Sequence, residues 1–297
     1  MLRRFVAALA ATAVTFAAAA QNGGETVALR LWDNASAPHS NGAVSDGQSR
    51  QAHDTAELFV YAPEEQKRLG VAVVVCPGGG YEYLSLESEG SKVAQWLADN
   101  GITAAVLKYR LPYGHPEVPL EDAVQALKIM RGEFHGADST VIRKMQGLTC
   151  ACTGVAGFSA GGHLAAMLST MGESRPDFSI LFYPVITGET GLCHAGSFDN
   201  LLGRDRTARL TAAYSLENRV DAKTPPAIRL VSDDDRGVPP ISSTRYYNAL
   251  KEHDTPASLH IYPAGGHGWG MRGSFPWYDN WQAAVLEWIG RFANNEN

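Results

Sequence analysis

The sequence has little of what would tie it to nucleic acid, to metal or to a disulfide framework. Of its 297 residues only 19% are charged; 25 Lys and Arg face 31 Asp and Glu, for a formal net charge of -6, and the basic residues form no run. Such a chain lacks the electrostatic footprint for a phosphate backbone or an anionic membrane surface. Its four cysteines, Cys76, Cys150, Cys152 and Cys193, are too few to staple a chain of this length and read as structural. Cys150 and Cys152 stand at strand spacing, which aims both side chains the same way and suits a mutual bridge poorly. No cysteine pair has the two-residue gap of a zinc knuckle and no His-Glu-x-x-His occurs, so no metal is expected.

Long apolar runs are also scarce. The uncharged stretch Phe5 to Ala20 is mostly alanine, shorter than the roughly 20 strongly apolar residues a spanning helix needs. It follows the basic head Met1-Leu2-Arg3-Arg4 and ends in Ala18-Ala19-Ala20 before Gln21, the form of a cleavable signal peptide over residues 1–20. No cysteine follows to take a lipid. The expected location is therefore periplasmic or secreted, with residues 21–297 forming a single domain. At 45% hydrophobic residues, that part has enough apolar side chains for a proper core.

From residue 70 onward short apolar runs alternate with helix-like periodicity. Val71 to Val75 is a continuous apolar run, β-branched except at Ala72, the pattern of a strand covered on both faces. Ser91 to Asn100 puts Val93, Trp96 and Leu97 on one helical face, closed by Gly101, and Ile102 to Tyr109 is a second strand. Pro119 opens a helix striped by Leu120, Ala123, Val124, Leu127 and Met130. Further strands are expected around Val155 and over Ser179 to Tyr183, Ala227 to Ser232 and Ser258 to Tyr262. Helices are expected over His163 to Met171, Ser242 to Glu252 and a C-terminal segment striped by Trp281, Val285, Trp288, Ile289 and Phe292. This alternation predicts an α/β fold, a doubly wound, mostly parallel sheet with helices on both faces. Two edge strands precede it, near Val27 to Trp32 and Glu57 to Tyr61. Residues 184–226 have weak periodicity and read as a cap-like insertion over the carboxyl edge of the sheet, where such folds bind ligands.

Chemistry concentrates at Gly157-Phe158-Ser159-Ala160-Gly161, which lies between an expected strand and an expected helix. A serine hydroxyl needs a base beside it to become a nucleophile, and Gly-x-Ser-x-Gly is the trace of a tight turn that presents one. The tetrahedral intermediate of attack carries an oxyanion, which needs N–H donors fixed in advance. One donor is expected from the residue after the nucleophile, Ala160, and others from the loop Pro77-Gly78-Gly79-Gly80-Tyr81 after the first buried strand. With chain order Ser, acid, His, the candidates for the base are His253, His260 and His267. His267, in Gly265-Gly266-His267-Gly268 just past the last strand, is the one a loop can carry over the sheet edge. The acid belongs to Asp233-Asp234-Asp235, among which spacing does not choose.

Together these motifs resemble the bacterial acetylxylan esterase and feruloyl esterase-like family of the α/β-hydrolase superfamily. The resemblance runs from Leu31-Trp32 through Lys108-Tyr109-Arg110-Leu111-Pro112, the Ser159 motif with Gly162-His163, and Tyr183-Pro184-Val185. It continues through Asn200-Leu201-Leu202-Gly203 and Thr224-Pro225-Pro226 to His260-Ile261-Tyr262-Pro263-Ala264-Gly265-Gly266-His267-Gly268-Trp269-Gly270. It departs from the family pattern at Thr149 to Thr153, where two cysteines stand in the run into the nucleophile strand. The resemblance implies a serine carboxylesterase with catalytic Ser159, Asp235 and His267; Asp235 is selected because it stands three positions before the Val238-Pro239 pair. It also implies an oxyanion hole of Gly79, Gly80 and Ala160. No cofactor is implied, and the substrates would be acetylated xylan or its oligosaccharides. Among loop aromatics Tyr81 and Trp269, with Tyr83, Trp277 and Tyr278, offer rings for stacking on sugars, although such rings serve as often in packing.

Overall fold

A computed structural model describes residues 26–32, 37–42, 55–134 and 139–293. The expected signal peptide lies outside the described residues. Among those residues no helix is long and apolar enough to cross a membrane.

The apolar run from Val71 forms β3 (Val71–Cys76), and every one of its residues is buried. Its side chains alternate between two cores: Ala72, Val74 and Cys76 face one, while Val71, Val73 and Val75 face the other. A strand apolar on both faces must be covered on both, which places β3 inside the sheet. Among the described residues the sheet has eight strands in the order β1-β2-β4-β3-β5-β6-β7-β8. β1 (Thr26–Arg30) and β2 (Glu57–Tyr61) join it antiparallel. From β4 (Thr103–Lys108) through β5 (Cys152–Phe158), β6 (Ser179–Phe182), β7 (Ala227–Ser232) and β8 (Ala257–Tyr262) every pairing is parallel.

One core lies under α1 (Lys92–Asp99) and α8 (Tyr278–Ala293). The other lies under α2 (Glu117–Arg131), α4 (Ser159–Met171) and α7 (Ile241–Glu252). The expected stripe of Trp281, Val285, Trp288 and Ile289 is the buried face of α8. α2 begins at Glu117, two residues before Pro119, whose missing N–H falls in a first turn that has no use for it. Arg110, just past β4, lies buried against the fully buried Asp122 of α2. Its guanidinium donates to both carboxylate oxygens at 2.7–3.0 Å, and its backbone N–H adds a bond of 2.8 Å. Trp32 Nε1 gives the same carboxylate a further bond, at 2.6 Å.

The short helices α3 (Ser139–Lys144), α5 (Ala195–Leu202) and α6 (Ala208–Ala213) carry too few turns to leave a readable period. α5 and α6 lie within residues 184–226. The cysteine geometry needs a correction. β5 starts at Cys152, so Cys150 precedes the strand and packs against the opposite core rather than pointing the same way. All four thiols are free, and burial pushes the Cys76 thiol up to about 12.

Candidate active site

β5 ends at Phe158, and α4 starts at once with Ser159, whose φ of 52° lies in the left-handed region. A side-chain residue held there is strained, and such strain collects where a fold presents a reactive group. The turn closes because its neighbours have no side chain. A Cβ on Gly161 would stand 2.1 Å from the Cys76 carbonyl oxygen, and one on Gly78 would stand 2.7 Å from that of Phe158 and 3.0 Å from Ser159 Cβ. The glycine loop after β3 and the serine turn after β5 can therefore lie against each other, and these strands are neighbours in the sheet.

The loops after β7 and β8, neighbouring strands that lie beyond β6 in the sheet, bring the partners. Asp235 is buried just past β7. Its Oδ1 accepts the backbone N–H groups of Gly237 (2.9 Å) and Val238 (2.8 Å), and its Oδ2 lies 2.7 Å from His267 Nδ1. Because both lone-pair faces of Asp235 only accept, Nδ1 carries the proton, and Nε2 is left to accept from Ser159 Oγ at 2.8 Å. Of the other two aspartates, Asp234 is exposed and accepts the Gly266 N–H at 2.8 Å, which steadies the loop that carries His267. Asp233 is exposed.

The N–H groups of Gly79, Gly80 and Ala160 donate to no protein acceptor among the described residues, whereas Gly78 donates to Glu89. A base, an oriented serine and unused donors beside it are what attack on a carbonyl requires.

Two residues assigned to sugar stacking must be corrected. Tyr81 is 1% exposed and its hydroxyl bonds His163 Nδ1 at 3.0 Å; Trp269 is 1% exposed and donates to Ser232 Oγ at 3.1 Å. Both rings are packing elements, because their polar atoms find partners only inside. Trp277 stacks on Tyr262 and Tyr278 packs edge-on against Trp281, while Tyr83 is 55% exposed.

Three residues that sequence reasoning passed over also belong to this region. His163 is buried between Tyr81 and the Tyr214 carbonyl, to which Nε2 donates at 2.9 Å; burial pulls its pKa down to about 4, so it is a neutral strut. His194 caps α5 and accepts the Ser197 N–H at Nδ1. Burial lowers its pKa, helped by nearby His267 and opposed by Asp235, which places it within electrostatic reach of the site. A Cβ on Gly80 would lie 3.8 Å from His194 Cε1, and Asn200 donates to the Gly80 carbonyl at 2.9 Å, so residues 184–226 wall the glycine loop. The third is Glu89, 5% exposed. Its Oε2 accepts from Gly78 at 3.0 Å and its Oε1 from the Tyr183 hydroxyl at 2.7 Å.

A family model described as the alpha/beta hydrolase fold matches residues 73–271. The chain belongs to the α/β-hydrolase fold family. More particularly, it is 38% identical over 240 residues to an acetylxylan esterase of Xylanibacter ruminicola, covering 79% of this chain and 48% of that one. It is 31% identical over 231 residues to endo-1,4-beta-xylanase B of Butyrivibrio fibrisolvens, covering 71% of this chain and 34% of that one. The chain thus spans half or less of the length of these curated relatives. Among solved structures, the acetyl ester-xyloside bifunctional hydrolase from Caldicellulosiruptor lactoaceticus superposes with a TM-score of 0.74 at 32% identity, over 90% of this chain and 96% of that one.

Proposed function

We propose that this chain is a serine carboxylic-ester hydrolase that removes acetyl groups from xylan or xylo-oligosaccharides. The observation that carries the chemistry is the relay from Asp235 through His267 to Ser159, at 2.7 and 2.8 Å, beside unused N–H groups. Ser159 Oγ attacks the ester carbonyl while His267 Nε2 takes its proton. Gly79, Gly80 and Ala160 hold the oxyanion, and Asp235 stabilises the imidazolium. His267 then protonates the leaving sugar oxygen, and water, deprotonated by the same nitrogen, releases acetate from the acyl-enzyme. The substrate class rests on the names of the relatives. The leader-like residues 1–20 suit work outside the cytoplasm.

The test is acetate release from acetylated xylo-oligosaccharides by the wild type and by Ser159→Ala. Release by the wild type alone is expected. Cleavage of only a small activated acetate ester would retain the serine chemistry and remove the xylan assignment; equal release by Ser159→Ala would remove the mechanism.

His194 is assigned a contact to bound substrate, since Nδ1 is taken by Ser197 and Nε2 has no protein partner among the described residues. Loss of one such bond in His194→Ala is expected to raise KM roughly 2- to 12-fold with kcat little changed. A fall in kcat alone would argue against that contact.

A further inference from the structure

The segment Ser85 to Ser91 reads as an ordinary polar surface stretch, yet it contains a buried carboxylate. Glu87–Ser91 forms one wide turn, with the Ser91 N–H reaching back to the Leu86 carbonyl at 2.8 Å, before α1 begins. Such a turn inserts an extra residue, and here it faces Glu89 inward. One oxygen of Glu89 takes the N–H of Gly78 in the glycine loop, and the other takes the hydroxyl of Tyr183.

Tyr183 extends the connection. Its oxygen accepts the N–H of Gly270, three residues past His267, at 2.9 Å, and its ring meets the His267 imidazole edge-on at 4.8 Å. The Gly270 N–H already points at the Tyr183 oxygen, so the phenolic proton goes to Glu89. Both oxygens of Glu89 are then acceptors, which is the pattern of a carboxylate with two charge-assisted bonds. Met271 N–H to the Ser88 carbonyl, at 3.2 Å, ties the same two segments once more.

We propose that Glu89 is a positioning residue for the ester hydrolysis: through Gly78 it sets the oxyanion loop, and through Tyr183 and Gly270 it sets the face of His267, so that donor and base keep one register. The inference rests on the ester-hydrolase reading above. Glu89 touches no reacting atom. Its effect belongs to the tetrahedral state, where loop N–H groups and imidazolium must both be in place, and not to substrate binding. Glu89→Gln is nearly isosteric but cannot accept at both positions, because its amide nitrogen must face one of the two donors.

The experiment measures kcat and KM on a small activated acetate ester, the melting temperature, and the affinity for a boronic acid that forms a tetrahedral adduct on Ser159. The proteins are the wild type, Glu89→Gln, Tyr183→Phe and the double variant. Each single change is expected to lower kcat roughly 10- to 100-fold, with KM within about twofold and boronate affinity falling in parallel. The double variant is expected to be no worse than about the poorer single one, because both break the same connection. If Glu89→Gln does not fold, Tyr183→Phe, which keeps the ring on His267, must still show the kcat loss. A lower melting temperature with unchanged kcat, or effects of the two changes that multiply independently, would overturn the proposal. Silence of the wild type on the activated ester would remove the ester-hydrolase reading and this role with it.

Discussion

Asp235→Asn is expected to lower kcat by about 10⁴-fold while leaving the melting temperature nearly unchanged. The reason is an asymmetry in how the carboxylate is held. Oδ1 is fixed by two backbone donors, Gly237 and Val238, and only an oxygen can sit there. An asparagine must therefore keep its oxygen at that position and turn its amide nitrogen toward His267 Nδ1, which then has to accept instead of donate. The imidazole proton moves to Nε2 and points at Ser159, so the base has no lone pair for the serine proton. Asp235→Ala frees the imidazole to choose its tautomer, and so should be no more damaging than Asn despite losing more atoms. Steady-state kinetics on the activated ester for both variants checks this. A smaller loss in Asn than in Ala would mean that His267 tautomer control is not what Asp235 provides.

The largest loss of stability is expected from a residue remote from the chemistry. Asp122→Ala should destabilise the fold by about 3–5 kcal/mol, because it removes the carboxylate that takes three hydrogen bonds from the buried Arg110 guanidinium and one from its backbone N–H, leaving only Glu121, at 3.8 Å, as a counter-charge. For a domain of this size that is on the order of 10 °C in melting temperature. Asp122→Asn keeps the shape and part of the bonding but not the charge, and should fall between. Thermal unfolding of the three proteins decides it; a change under about 1 kcal/mol in Asp122→Ala would show that water reaches Arg110 readily. A doubly replaced Arg110→Leu, Asp122→Leu protein should recover part of the loss, since the cost lies in stranding one charge rather than in lacking the pair.

What could be read from the residues and what could not divides along physical lines. Val71 to Val75 announced a two-faced buried strand because five β-branched or small apolar residues in a row have no other economical place. The Ser159 turn was legible because glycine is demanded wherever a Cβ would meet a carbonyl 2.1 Å away. Among three adjacent aspartates spacing gave no choice, and only the resemblance pointed to Asp235. The two backbone bonds that hold it belong to the loop's folded path. Burial of Tyr81 and Trp269 likewise depends on neighbours far along the chain, His163 and Ser232 among them. Chain order sets aside His194 as a base, but it says nothing of a histidine that lines the wall. Glu89 had no signal at all, since a wide turn carries no distinctive residue pattern and the Ser85-Leu86-Glu87-Ser88-Glu89-Gly90-Ser91 run looks like solvent-facing surface.

The last strand and the last helix bear on how this protein becomes active as it is made. Ser159, the glycine loop and Asp235 all leave the ribosome before His267. The segment that follows His267 also supplies α8, whose Trp281, Val285, Trp288 and Ile289 complete one of the two cores. A nascent chain stopped before residue 257 therefore lacks both His267, the proposed proton acceptor, and the α8 side of that core. On the mechanism proposed above, hydrolysis waits until α8 has been made and packed, so turnover follows completion of this core and not the making of Ser159.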